Sequence, residues 1–130
     1  MTVTLLYAGA LAIWFVVLSL KVILARVGPG NPSLGDGGNP GVLRLMRGHA
    51  NFAEYAPLIL LLMALLELNG LPKWALHGLG ATLLLGRLLH GYALSFTQGF
   101  VFGRSAGIAL TLIALLVGGG LCLLRGVQGL

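Results

Sequence analysis

Charge is what this 130-residue chain has least of. Eight per cent of its residues are Asp, Glu, Lys or Arg, where a soluble domain carries about a quarter, so a water-facing surface around an ordinary core is excluded. Acids are scarcest, three against eight Lys and Arg. The lone cysteine, Cys122, excludes an internal disulfide. It sits in the last apolar block, without the cationic neighbours and partial exposure of a reactive thiol, and reads as packing. No basic run with interleaved aromatics exists. The net charge of +5 and pI near 10.2 therefore reflect the Lys and Arg that flank membrane helices, and no nucleic-acid partner is expected. The stretch 27–41, VGPGNPSLGDGGNPG, has no Lys-Ser or Lys-Thr after it and lacks calcium-loop spacing. It is a loop, and no metal is expected.

What the chain has in abundance is apolar surface, with 58% hydrophobic residues and a mean hydropathy of +0.99. One all-α integral membrane domain over 1–130 is expected, a four-transmembrane-helix up-down bundle with spans at approximately 3–24, 42–68, 74–96 and 105–124. The first run is too long for a signal-peptide core and has no basic segment before it, so it is expected to be retained. Asn39 and Pro40 fit the cap and first position of the second helix. Asn69, Gly70 and Pro72 fit a tight turn between antiparallel helices, and Gly126 fits a cap after Arg125. Ala8, Gly9, Ala12, Gly78, Ala81 and Gly86 would permit close helix contact. Lys21, Arg26, Arg44, Arg47 and Arg104 fall on one side and Lys73, Arg125 and the amino terminus on the other. The positive-inside rule then puts the charged loops in the cytoplasm and both termini outside it.

Within this apolar chain the run RLMRGHANFAEYAP at 44–57 stands out. On a helix, Arg44, Arg47, Asn51 and Glu54 fall at i, i+3, i+7 and i+10, one continuous stripe, with His49 and Tyr55 to either side. Arg87 and His90 lie one turn apart on the third span and return to the same membrane half. Ionised groups cost about 2.5 to 3.5 kcal/mol at the bilayer centre, so Glu54 and Arg87 need partners or water. Two accounts are open: a buried ion pair of Glu54 with Arg87 or Arg47 that fixes helix packing, or an anion-binding pocket open to the cytoplasm. The excess of arginine over glutamate favours the pocket.

The pattern RxxRxHxNxxEYxP, here Arg44, Arg47, His49, Asn51, Glu54, Tyr55 and Pro57, resembles the second-helix signature of the MAPEG family, the membrane-associated proteins in eicosanoid and glutathione metabolism. Gly86 to His90 and the four-span plan match too, and the short bacterial branch is the most similar. The resemblance implies a homotrimer in a bacterial inner membrane, with glutathione as cosubstrate bound between subunits toward the cytoplasm. It implies that Arg44, Arg47, Asn51, Glu54 and Tyr55 contact glutathione, that His49 faces the neighbouring subunit, and that Arg26 reaches across the interface. Arg87 and His90 would complete the pocket, and Arg104 would be the catalytic residue that activates the thiol. A lipophilic electrophile would arrive through the lipid bilayer. The chain departs from the enzymes at Leu94, where a tyrosine is expected, while Tyr92, two residues away, lies about 160 degrees round the helix. The expected function is a glutathione-dependent transferase or peroxidase, with a non-catalytic glutathione-binding or structural membrane protein as the alternative. A small multidrug exporter also uses four short helices, but that class carries a key glutamate in its first span, and this first span has no acid.

Overall fold

The computed structural model describes residues 1–129, which form four α-helices, α1 (Thr2–Ala25), α2 (Pro40–Leu68), α3 (Lys73–Ser95) and α4 (Val101–Gln128). At about 1.5 Å per residue they are about 35 to 44 Å long, enough to cross a hydrocarbon core of about 30 Å. By length and composition α1, α2 and α4 each qualify as membrane spans. The more polar α3 is hidden differently: α2 and α3 each pack against all three other helices, while α1 and α4 do not meet. The two helices that carry the intramembrane polar residues are thus the two central ones, where lipid is kept away from charge.

Consecutive helices alternate in direction. The start of α1 meets the end of α2 through Val3, Thr4 and Glu67, and Arg44 near the start of α2 bonds Ala93 and Thr97 at the end of α3. Leu11, Leu18, Ile59, Met63, Leu66, Leu76, Leu83 and Ala114, drawn from all four helices, form the buried core. Local sequence sets the ends. Asn39 Oδ1 accepts from Gly41 N (2.8 Å) and Val42 N (3.3 Å) with Pro40 as the first helical residue of α2, a pairing of cap and pre-set φ. Gly70 takes φ +75° in the turn to α3, which a side chain would resist.

Two boundaries differ from expectation. Helix α4 starts at Val101, so Arg104 lies inside its first turn. At the far end Gly126 does not cap α4. The helix continues to Gln128, and Gly129 N donates to both Arg125 O and Gly126 O at 3.2 Å.

Close approach is also more selective than the small residues suggested. Of these, Gly86 is used: its added Cβ would stand 2.9 Å from Gly107 O, whereas Gly9 and Gly78 have open space before them. Gly107, in α4, completes the crossing from the other side.

Glu67, which no motif singled out, latches α1 to α2. Its carboxylate accepts from Val3 N (2.9 Å), Thr4 N (2.8 Å) and Thr4 Oγ1 (2.6 Å). It acts as a cap supplied by another helix, since Met1 gives α1 no side-chain cap. Glu67→Gln is expected to lower stability by about 1 kcal/mol, the usual worth of a cap, read as an earlier thermal transition in detergent. A wild-type transition in that variant would mean the latch contributes nothing.

Candidate functional site

The stripe on α2, the second half of α3 and the first turns of α4 enclose one cavity of about 450 Å³. Arg44, Arg47 and Asn51 line it from α2, His90 and Leu94 from α3, and Arg104, Ser105 and Ile108 from α4. Three guanidinium groups share this wall, and no acid lines it. The first turn of α4 has no side-chain cap, so its free N–H groups add the positive end of a helix to the same region.

Beneath the cavity lies Arg87, 1% exposed. Its Nη1 donates to Asn51 Oδ1 at 2.7 Å, while Nε (2.9 Å) and Nη2 (2.6 Å) both donate to Thr111 Oγ1. Thr111 in turn donates to Gly107 O at 2.8 Å, and the guanidinium lies 5.9 Å from the centroid of the Tyr55 ring. With its carbonyl oxygen taken by Arg87, Asn51 has its amide N–H donors left to offer a ligand. Arg87 is satisfied by neutral oxygens, so its charge stays uncompensated and adds to the positive potential of the cavity.

The ion pair of Glu54 with Arg87 does not form in this chain. The Arg87 donors go to Asn51 and Thr111, and Glu54 is exposed on the flank of α2. The reason is depth along the helix: Glu54 lies about two turns further along α2 than Arg47, past the cavity wall, and is exposed, while Asn51 bonds Arg87. Arg47 is exposed too.

His49, expected to face a neighbouring subunit, makes its contacts within the chain on α1. Its ring stacks on Phe15 of the same chain at 4.6 Å, and Nε2 lies 3.1 Å from Ser19 Oγ. The aromatic stack continues from Phe15 to Phe52 at 4.9 Å, and burying these flat faces against α1 outweighs an outward imidazole. Arg26 stands apart from the cavity at the end of α1, with Nε donating to Gly35 O (3.2 Å) and Nη2 near Met46 Sδ (3.3 Å).

Arg44 has a second duty. Its Nη2 donates to Ala93 O (3.0 Å) and Thr97 O (3.1 Å), closing the last turn of α3. His90 is 6% exposed, and its Nδ1 is buried with no hydrogen-bond partner among the described residues. Leu94 lines the cavity where a tyrosine hydroxyl was expected, and Tyr92 faces outward, stacked on Phe96 at 5.6 Å. Among the described residues, no three His, Cys, Asp or Glu side chains gather to hold a metal ion.

Thr111 is the residue that sequence reasoning passed over. Its signal was faint: it lies seven residues after Arg104, on the same face of an otherwise apolar helix. A hydroxyl there is buried completely and serves Arg87.

Comparison with known proteins agrees with an all-α membrane fold. The MAPEG family profile matches residues 4–124. Two curated proteins called inner membrane protein YecN, from Escherichia coli strain K12 and from Escherichia coli O6:H1 strain CFT073, are each 35% identical over 115 residues. Each match covers 88% of this chain and 86% of the relative. No solved structure matches.

Proposed function

Since the chain belongs to the MAPEG family of membrane proteins in eicosanoid and glutathione metabolism, we propose that it binds glutathione in the arginine-lined cavity and uses it as a transferase or peroxidase on lipophilic electrophiles in a bacterial inner membrane. The observation that carries this reading is the cavity with Arg44, Arg47 and Arg104 on its wall and no acid among them. At about 450 Å³ its size falls in the usual range for small-molecule sites, about 300 to 1,000 Å³.

Glutathione carries two carboxylates and one ammonium. Arg47 supplies a guanidinium fork for one carboxylate, Arg44 offers the Nε and Nη1 donors left free by its anchored Nη2 to the other, and Asn51 supplies amide donors to the peptide groups. Glu54 takes the ammonium at the outer rim, where Tyr55 stands beside it. The rim is where a neighbouring subunit completes the site in the homotrimer, with its Arg26 reaching in. His90 and Arg104 face the thiol. A cation beside a thiol favours the thiolate, and Arg104 is helped by the first turn of α4.

In the transferase reaction the thiol proton leaves to solvent and the sulfur attacks the electrophilic carbon. A sulfur–carbon bond forms as the leaving group departs with its electron pair. In the peroxidase reaction two glutathione molecules are oxidised to the disulfide while one hydroperoxide is reduced to alcohol and water. Preorganised donors stabilise the developing negative charge in either case.

A second reading, a glutathione-binding protein without this chemistry, draws on Leu94, which puts a methyl-rich side chain where a hydroxyl would face the thiol. Calorimetry with glutathione addresses binding itself. Arg47→Ala and Glu54→Gln are each expected to weaken it about tenfold or more, the worth of one charge-assisted contact, with the thermal transition little changed. Loss of the fold in both variants with no separate effect on affinity would return the stripe to a structural role.

A further inference from the structure

A second cavity, of about 510 Å³, lies on the other side of Arg44 and Leu94, between the end of α1, the following loop, the start of α2 and the end of α3. Arg44 and Leu94 line both cavities and so form the partition between them. The wall of this second space carries two cations, Lys21 and Arg44, and no acidic side chain. The Lys21 ammonium stands 4.5 Å from the centroid of the Phe96 ring, a contact that positions the charge without neutralising it. Arg44 is anchored by Nη2 to the carbonyls of Ala93 and Thr97, which fix its direction and leave its charge uncompensated.

Two further features point the same way. Asn39, Gly41 and Val42, the cap and first turn of the 29-residue helix α2, form part of the wall and bring its positive end to the cavity. Ser95 also lines it, is 6% exposed, and has a hydroxyl with no hydrogen-bond partner among the described residues. Its oxygen is sealed against Gly48 of α2, and a turn about χ1 toward the cavity would give it the partner it lacks.

We infer that this cavity binds an anionic phosphate group, either on a phospholipid headgroup or as the free ion. A tetrahedral phosphate offers acceptor oxygens in several directions. Lys21, Arg44 and Ser95 approach from α1, α2 and α3 respectively, which suits that shape better than a flat carboxylate. The cavity lies at the same end of the bundle as Arg26 and Arg104, where α1 leaves the apolar layer.

The full chain in dodecylmaltoside micelles tests this with two probes, dioleoylphosphatidic acid followed by native mass spectrometry and inorganic phosphate followed by calorimetry. Phosphatidic acid is expected to be retained over dioleoylphosphatidylcholine. Binding of inorganic phosphate as well identifies a site for the free ion, whereas lipid binding alone identifies a headgroup site. Lys21→Met, which keeps the stem and removes the charge, should weaken the bound probe about tenfold, and Lys21→Arg should restore it. Ser95→Ala is a second variant with an intact charge set, expected to weaken binding about threefold. Glutathione binding should be unchanged in Lys21→Met, because Lys21 lies outside the other cavity. Equal retention of phosphatidic acid and phosphatidylcholine together with no phosphate binding would overturn the inference. So would wild-type affinity in folded Lys21→Met.

Discussion

Arg104→Ala is expected to abolish the thiolate absorbance of bound glutathione near about 240 nm while binding itself, read by calorimetry, weakens by less than about fivefold. The two effects separate because, in the proposed binding mode, Arg44, Arg47 and Asn51 hold the ends of the ligand, and they line the cavity from α2, whereas Arg104 lines it from the first turn of α4. Loss of one preorganised donor at a reacting centre typically slows turnover by about 100-fold to 1,000-fold, and that is the expected loss for any electrophile the wild type conjugates. Arg104→Lys should recover part of the thiolate, since it restores a point charge without the planar fork. An undiminished thiolate band in Arg104→Ala would remove this residue from the chemistry. No band in the wild type despite calorimetric binding would favour the non-catalytic reading.

Gly107→Ala should be among the most destabilising single-methyl additions in the chain. A Cβ at this position would lie 2.6 Å from His90 N, 2.7 Å from Gly86 O and 2.7 Å from His90 Cβ. Two of these are backbone atoms in the middle of α3, which cannot turn aside as a flexible side chain would. Helices α3 and α4 must then separate, at a cost of about 1 to 3 kcal/mol for overpacking. Separation also draws Thr111 away from Arg87 and loosens the hold on Asn51, so glutathione affinity should fall as well. Gly119→Ala and Gly120→Ala are the controls, because both positions face open space. There the higher helix propensity of alanine should be neutral or stabilising by up to about 1 kcal/mol. Equal thermal transitions for all three variants would show that the crossing tolerates a wider gap.

The parts of the site that were legible in the sequence are those that repeat on one helix. Arg44, Arg47 and Asn51 fall on one face by spacing alone, and they do line one cavity. His90 joins them from α3. Glu54 extends the same stripe in sequence, about 20° round the helix from Arg47, yet does not line the cavity, because it lies about two turns, about 10 Å, further along α2. His49 was legible as a polar residue off the stripe but not as a partner of Phe15 and Ser19, since nothing in the spacing of α2 says which residues of α1 oppose it. Glu67 is a similar case. Its role depends on the amino terminus of α1 returning to the end of α2, a contact across more than sixty residues of chain.

Composition and periodicity alone determined that this protein is a membrane bundle of four helices with most of its cations gathered at one end. Hydrophobic length and helical period are properties of contiguous residues, so a linear reading contains them. Which groups satisfy Arg87, which glycines let α3 and α4 touch, and where one polar space ends and another begins were decided by the tertiary structure. Those outcomes depend on the rotation and depth of each helix against its neighbours, fixed by packing among all four helices at once. Arg87 shows the difference: the sequence placed a costly charge in the membrane, and the fold supplied Asn51 from one helix and Thr111 from another to hold it.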